Sequence, residues 1–272
     1  MDVTLKGKAA PFSPPRGFFP RFDWRARRVW ERDLVAWLKI YKTSLLLNFG
    51  EPFMNLVALG FGLGTYVASL ENVSFAAYIA PGLLASTAML GVSYDMAFSG
   101  FAKLHRDGVY DSILTGPVEV ESIVGGEILW EISRSILYGS TFLTVIFLLG
   151  LIQSPLALLV SPLMVLPGII FAAPALVVAT LARVEDQLFY YFTLAITPMF
   201  MFSGIFFPVE NLPPLARNLI WFTPLYHVVR LSRGLVLGRI TPDLWTSLCW
   251  LLVVAVLQLP VLVYFMKRKL LS

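Results

Sequence analysis

The chain has 272 residues, of which 57% are hydrophobic and only 14% charged, with a mean hydropathy of +0.75 and a net charge of +4. Soluble domains draw about a quarter of their residues from the charged types. The composition therefore excludes an ordinary soluble enzyme, a nucleic-acid-binding module and a disordered chain, and it leaves an all-α integral membrane protein. A spanning helix uses roughly 20 apolar residues, so six fit with room for connections. The single cysteine, Cys249, excludes an internal disulfide and a cysteine metal cluster.

Residues 1–21 carry Pro11, Pro14, Pro15 and Pro20 and read as an irregular tail, without the apolar core and cleavage site of a secretory signal. Over 22–43, Trp30, Leu34, Trp37, Leu38 and Tyr41 recur at helical spacing opposite Arg28, Arg32 and Lys39, which predicts a basic amphipathic helix lying in the membrane interface. Six apolar stretches follow, near 44–70, 75–102, 122–150, 156–182, 188–208 and 244–266, within a transmembrane domain taken as 44–272. Their length and lack of strict alternation favour helices over barrel strands. Pro162, Pro167 and Pro174 predict kinks in the fourth. Between the fifth and sixth, residues 209–240 mix Pro213, Pro214 and Pro224 with short apolar runs, flanked by Pro208 and Pro242, as expected for short re-entrant or interfacial helices. One would be capped at Asn211, and another would run from Pro224 to Leu237. Sixteen of the 21 lysines and arginines fall on one side if both termini are cytoplasmic.

No Walker, HExxH or GxSxG motif points to catalysis. Gly60 and Gly64 form a GxxxG pair suited to close helix packing. Glu127, Glu131 and Arg134 lie at i, i+4 and i+7 on one face of the third span, with Glu131 and Arg134 able to pair. Charges at this depth face a bundle interior or an aqueous cavity, so these three are either a structural cluster or a polar lining and gate. Glu51 precedes Pro52 and either caps a break in the first span or marks the interface. Asp95 sits near the end of the second span. The polar run at about 101–118 is a surface loop or a short amphipathic helix that receives force from a partner.

The order of elements is distinctive, and the stretches that carry a likeness are "NFGEPFMNLVALGFGLG" (48–64), "YIAPGLLASTAM" (78–89), "IVGGEILWE" (123–131), "ITPMFMFSGIFFPVENLPPLA" (196–216), "TPLYHVVRLSRGLVLG" (223–238) and the basic end "KRKLLS", of which "SGIFFPVENLP" and "TPLYHVVRLSRGLVLG" are specific and the rest generic to many permeases. From about residue 25 onward the chain resembles the type-2 ABC exporter permeases, and within them the NodJ branch of nodulation-factor, or lipooligosaccharide, export. The resemblance implies a transmembrane permease subunit in a bacterial inner membrane, working as a dimer, usually of identical chains, with two cytoplasmic ATPase subunits. Those subunits, not this chain, would bind ATP and Mg. It implies that 101–118 is a coupling helix, with Arg106, Asp107, Gly108, Tyr110 and Asp111 at the ATPase contact. It also implies an exported amphiphile, for which Tyr190, Phe200, Phe202 and Phe206 are possible path residues. The rival readings are a drug or antibiotic exporter of the same fold, an ion-coupled secondary transporter, and a membrane scaffold. Inverted internal repeats would mark the transporter.

Overall fold

The computed structural model describes residues 17–67, 69–70 and 72–271, so most of the tail expected over 1–21 lies outside the described residues. Helix α1 (Trp24–Leu38) begins where the Asp23 carboxylate accepts from the Arg25 and Ala26 amides at 3.1 and 2.9 Å, which satisfies two orphan donors of its first turn. It ends at Lys39, and α2 (Tyr41–Asn55) starts two residues later. The helix expected over 22–43 is therefore two helices, with Tyr41–Thr43 in the second. Helix α2 continues through a π-helical stretch, Leu56–Gly62, to Thr65.

Helix α3 (Phe75–Tyr94) is the centre of the bundle. Its segment is apolar all round and rich in Ala, Gly and Ser, so neighbours approach it from every side. Nearly every residue from Phe75 to Ser93 is buried. It extends through π-helical turns at Asp95–Ser99 and Ala102–Arg106. A bend then leads to α4 (Val109–Leu114) and to the 29-residue α5 (Val120–Leu148).

The proline-rich fourth stretch forms a 3₁₀ turn, Pro155–Leu159, then α6 (Val160–Leu163) and α7 (Val165–Leu181). The break at Met164 has a local cause: Pro167 has no amide to donate to the Leu163 carbonyl. Pro174 is carried inside α7. Helices α8 (Gln187–Tyr191) and α9 (Thr197–Phe202) are joined by a π-helical turn into one 16-residue apolar rod. Helices α10 (Pro214–Trp221) and α11 (Pro224–Leu237) follow. Asn211 lies in a preceding 3₁₀ turn, and α10 starts on Pro213 and Pro214 without a side-chain cap, so the expected Asn211 cap does not form. Proline at the first helical position loses no hydrogen bond there.

Helix α12 (Asp243–Leu270) packs on α7, α11 and α5 and exposes Leu252, Val253, Val256, Leu257 and Val261 outward. Among the described residues, four helices are long and apolar enough to cross a membrane: Tyr41–Thr65, Phe75–Arg106, Pro155–Leu181 and Asp243–Leu270. The described residues contain no β-strand, only an isolated Leu70–Val73 bridge.

Candidate functional site

The end of α3 makes an elbow. The Asp107 amide bonds to the Ala102 carbonyl at 2.9 Å, closing the last wide turn. Gly108 then takes a left-handed conformation, φ 57°, which a residue with a Cβ adopts at a cost. A Cβ there would meet nothing, so conformation, not space, calls for glycine. The Ser112 hydroxyl returns to the Gly108 carbonyl at 3.0 Å and holds α4 against the bend. The elbow presents Arg106, Asp107 and Asp111 to the outside, with Arg106 Nε 3.1 Å from Asp107 Oδ1. Tyr110 departs from its expected place at the contact: it is fully buried, because α4 rests its first turn on the bundle. Burial beside Glu127 and Asp33 pushes the Tyr110 phenol well above its usual range.

Beneath the elbow lies a four-membered ion network. Lys103 Nζ is 2.7 Å from Glu127 Oε2 and 3.0 Å from Asp33 Oδ1. Arg32 Nη2 is 2.9 Å from both Glu127 Oε1 and Asp33 Oδ1. Two cations balance two anions, and both carboxylates are buried. Three chain segments, α1, the end of α3 and α5, thus share one charge cluster. Arg32, expected on the solvated face of α1, turns inward. Asp33 and Lys103 were not singled out in the sequence, although an acid within a basic helix was the available signal.

Burial and the neighbouring Glu127 push the Asp33 carboxyl from 3.8 up to about 6, against the pull of Lys103 and Arg32. Between those two values the folded chain binds more protons than the unfolded one, so stability falls as pH rises through that window and levels off above it. Thermal melts from pH 4 to 7 are expected to show this decline in the wild type and a shallower one in Asp33→Asn. Equal slopes would show that Asp33 does not titrate there.

Helix α1 is clamped along α5 by backbone proximity. A Cβ on Gly125 would sit 2.2 Å from the Arg21 carbonyl oxygen, and one on Gly126 would sit 2.6 Å from that of Ala26. Trp30 Nε1 donates to Ser133 Oγ at 3.0 Å, and Ser122 Oγ to Asp23 Oδ2 at 3.2 Å. Near the same end, Lys267 Nζ of α12 lies 2.8 Å from the buried Glu121, and Lys267 also contacts the Gly17 carbonyl. The first and last described segments therefore meet at one end of the bundle.

A second charge cluster lies deeper. Arg134 pairs with Asp95 and approaches Glu131 at 3.6 Å, and it donates from Nη2 to the Tyr138 hydroxyl at 2.8 Å. Tyr138 shares a 2.8 Å hydrogen bond with Ser44, which accepts from Trp37 Nε1 at 3.0 Å. The sequence places Glu127, Glu131 and Arg134 on one helix face. The structure divides them between two clusters and encloses all three within the chain. They pin helices together, and none of them lines the groove described next.

That groove, about 670 Å³, runs between α2 and its π-helical extension, α3, and the α8–α9 rod. Glu51, Asn55, Tyr94, Phe192, Phe200 and Phe206 are among its walls. Tyr94 stacks on Phe192 at 4.1 Å between ring centres, and Phe200 meets Phe206 edge-on at 5.3 Å. Of the four aromatic residues singled out in the sequence, Phe200 and Phe206 line the groove, whereas Tyr190 and Phe202 project from the outer side of the rod. Glu51 caps no helix break: α2 runs on past Pro52, and the side chain is exposed in the groove wall. Gly60 lets the extension of α2 close on Ala76, 3.4 Å from a built Cβ, while Gly64 makes only ordinary contact.

At the far end, α11 is held by Arg233. Its guanidinium lies 3.9 Å from the Tyr78 ring centre and donates to the Tyr78 and Gly204 carbonyls at 3.2 and 2.8 Å. Helix α11 stops at Gly238, again left-handed, φ 71°.

Membrane-length helices around a buried central helix, a basic helix clamped to one end, and an aromatic groove along one flank define a membrane-embedded transport subunit. The chain belongs to the ABC-2 type transporter family, whose pattern matches residues 26–237. It is 32% identical to Nodulation protein J of Sinorhizobium fredii over 93% of this chain and 97% of that one. It is 33% identical to Nodulation protein J of Bradyrhizobium diazoefficiens over 92% and 95% of the two chains. The probable multidrug ABC transporter permease YbhR of Escherichia coli is 24% identical over 67% of this chain and 50% of that one.

Proposed function

We propose that this chain is the permease subunit of an ATP-driven exporter that moves a lipid-linked oligosaccharide or similar amphiphile out of a bacterial cytoplasm or inner leaflet. The observation that carries the proposal is the exposed Arg106–Asp107–Gly108 elbow resting on the Arg32–Asp33–Lys103–Glu127 network. A push on that elbow reaches α1, α3 and α5 together, because two buried carboxylates cannot part from their cations without large desolvation costs. Cytoplasmic ATPase subunits, two per complex, dock there on Arg106, Asp107, Gly108 and Asp111, with Tyr110 as the buried anchor. They bind the ATP and Mg, and this chain hydrolyses nothing.

In this reading α5 and the α8–α9 rod also cross the inner membrane, which makes six spans. Both termini are cytoplasmic, in keeping with the contact between Gly17 and Lys267, and α10 and α11 dip into the outer side. Two copies form a homodimer with the groove facing the path between them. The likeness to Nodulation protein J supports the amphiphilic glycan cargo, and the weaker likeness to a multidrug permease supports the second cargo class, drugs.

The test is the variant Arg106→Ala/Asp107→Ala, co-expressed with the ATPase subunits that copurify with the chain. Both side chains are exposed, so membrane insertion and melting are expected to stay unchanged while export and substrate-stimulated ATP hydrolysis fall at least about tenfold. Full stimulation in the variant would overturn the coupling assignment.

A further inference from the structure

The groove carries an uneven charge. Its described walls include Glu51 but no lysine, arginine or histidine. Asn55 and Thr197 add neutral polar groups, and the rest of the lining is apolar, with aromatic rings supplied by α3, the α8–α9 rod and the segment after it. Glu51 forms no ion pair among the described residues, unlike Asp33, Asp95, Glu121, Glu127 and Glu131, each of which faces a cation. A carboxylate on a membrane helix is costly unless it meets water, a partner or a ligand. These five acids, four of them buried and Asp95 half-buried, are thus paired with cations inside the chain, whereas Glu51 is exposed in the aromatic groove.

Resting on the permease reading, we infer that Glu51 is a specificity-determining residue. It selects amphiphiles whose polar part donates hydrogen bonds, through hydroxyl or ammonium groups, and carries no net negative charge. Three physical effects combine. A carboxylate accepts charge-assisted hydrogen bonds from hydroxyl and ammonium donors, and these are about twice as strong as neutral ones. It repels phosphate and sulfate heads, and the described walls hold no lysine, arginine or histidine to offset that repulsion. The faces of Tyr94, Phe192, Phe200 and Phe206 suit the C–H faces of sugar rings and the positive side of ammonium groups, and they gain nothing from an anion. The groove volume, about 670 Å³, lies in the range of sites that hold a drug-sized molecule, so it takes a head group with a few rings, not a whole polymer.

The test measures equilibrium binding to the full-length chain in nanodiscs of zwitterionic lipid. The probes are three radiolabelled amphiphiles with one shared dodecyl tail: dodecyl glucoside, dodecyltrimethylammonium and dodecyl phosphate, each below its micelle concentration. The wild type is expected to bind the glucoside and the ammonium saturably and the phosphate at least about tenfold more weakly. Glu51→Gln, at an exposed position that tolerates the change, is expected to bring the phosphate within about threefold of the glucoside and to weaken the ammonium. Glu51→Lys is expected to reverse the order of the two charged probes. Phe206→Ala should weaken all three alike. If Glu51→Gln leaves the ratios between probes unchanged while Phe206→Ala still weakens binding, the groove binds amphiphiles by their tails and the role of Glu51 is overturned. If no probe binds saturably, or Phe206→Ala has no effect, the groove is not a binding site and the inference falls, while the permease reading stands or falls on the Arg106→Ala/Asp107→Ala variant.

Discussion

Arg134→Leu is expected to lower the stability of the bundle by about 3–5 kcal/mol, the usual cost of removing one partner from a buried ion cluster. The substitution removes the cation that Asp95 and Glu131 share and leaves two carboxylates close together in an apolar interior. It also removes the donor to Tyr138, which links through Ser44 and Trp37 to α2 and α1. The measurement is thermal unfolding in nanodiscs, followed by tryptophan fluorescence, with a drop in Tm of roughly 10 °C. Arg134→Leu combined with Asp95→Asn and Glu131→Gln is expected to recover much of the loss, since a neutral cluster needs no counter-charge. A shift under about 2 °C, or no recovery in the triple variant, would show that the cluster does not hold the helices.

Gly126→Leu is the second large effect. A Cβ at that position sits 2.5 Å from Val29 Cβ and 2.6 Å from the Ala26 carbonyl oxygen, so the α1 backbone has to move away from α5. Overpacking of this kind costs about 1–3 kcal/mol in a rigid core. Here the helix has an escape, because α1 is attached on one side only. The expected result is local detachment of α1 and not global unfolding. Arg25, Arg27 and Arg28 then become cleavable by trypsin at least about tenfold faster, while the Tm of the remaining bundle changes little. Export is expected to fall with it, since α1 supplies Arg32 and Asp33 to the network under the elbow. Tryptic protection equal to wild type would mean that α1 is not seated through the glycine pair. Gly125→Ala provides a second check with a single added methyl, because its Cβ would lie 2.2 Å from the Arg21 carbonyl oxygen.

The extents of the helices were largely legible in the sequence, because apolar runs and prolines act locally. The break near Met164 follows from Pro167, and the end of α11 follows from Gly238. The alignment of Glu127, Glu131 and Arg134 on one face was equally legible, since helical spacing alone places them there. Their partners were not. Glu127 meets Arg32 across 95 residues and Lys103 across 24, and nothing in the local pattern marks those encounters. The burial of Tyr110 was not legible for the same reason: a polar neighbourhood in the sequence gives no sign of which side the bend turns inward. The Gly125–Gly126 pair lies within the 123–131 stretch, but its use as the seat of α1 depends on a helix about 100 residues earlier.

By itself the sequence determined the membrane class, the places where helices stop and turn, and the family, because hydropathy, proline and glycine geometry and residue identity are properties of short stretches of chain. Only the tertiary structure decided which charges are neutralised inside the bundle and which one, Glu51, is left facing an aromatic groove. Charge pairing in an apolar interior depends on distances of a few ångströms between residues far apart in the chain, and those distances exist only once the helices have packed.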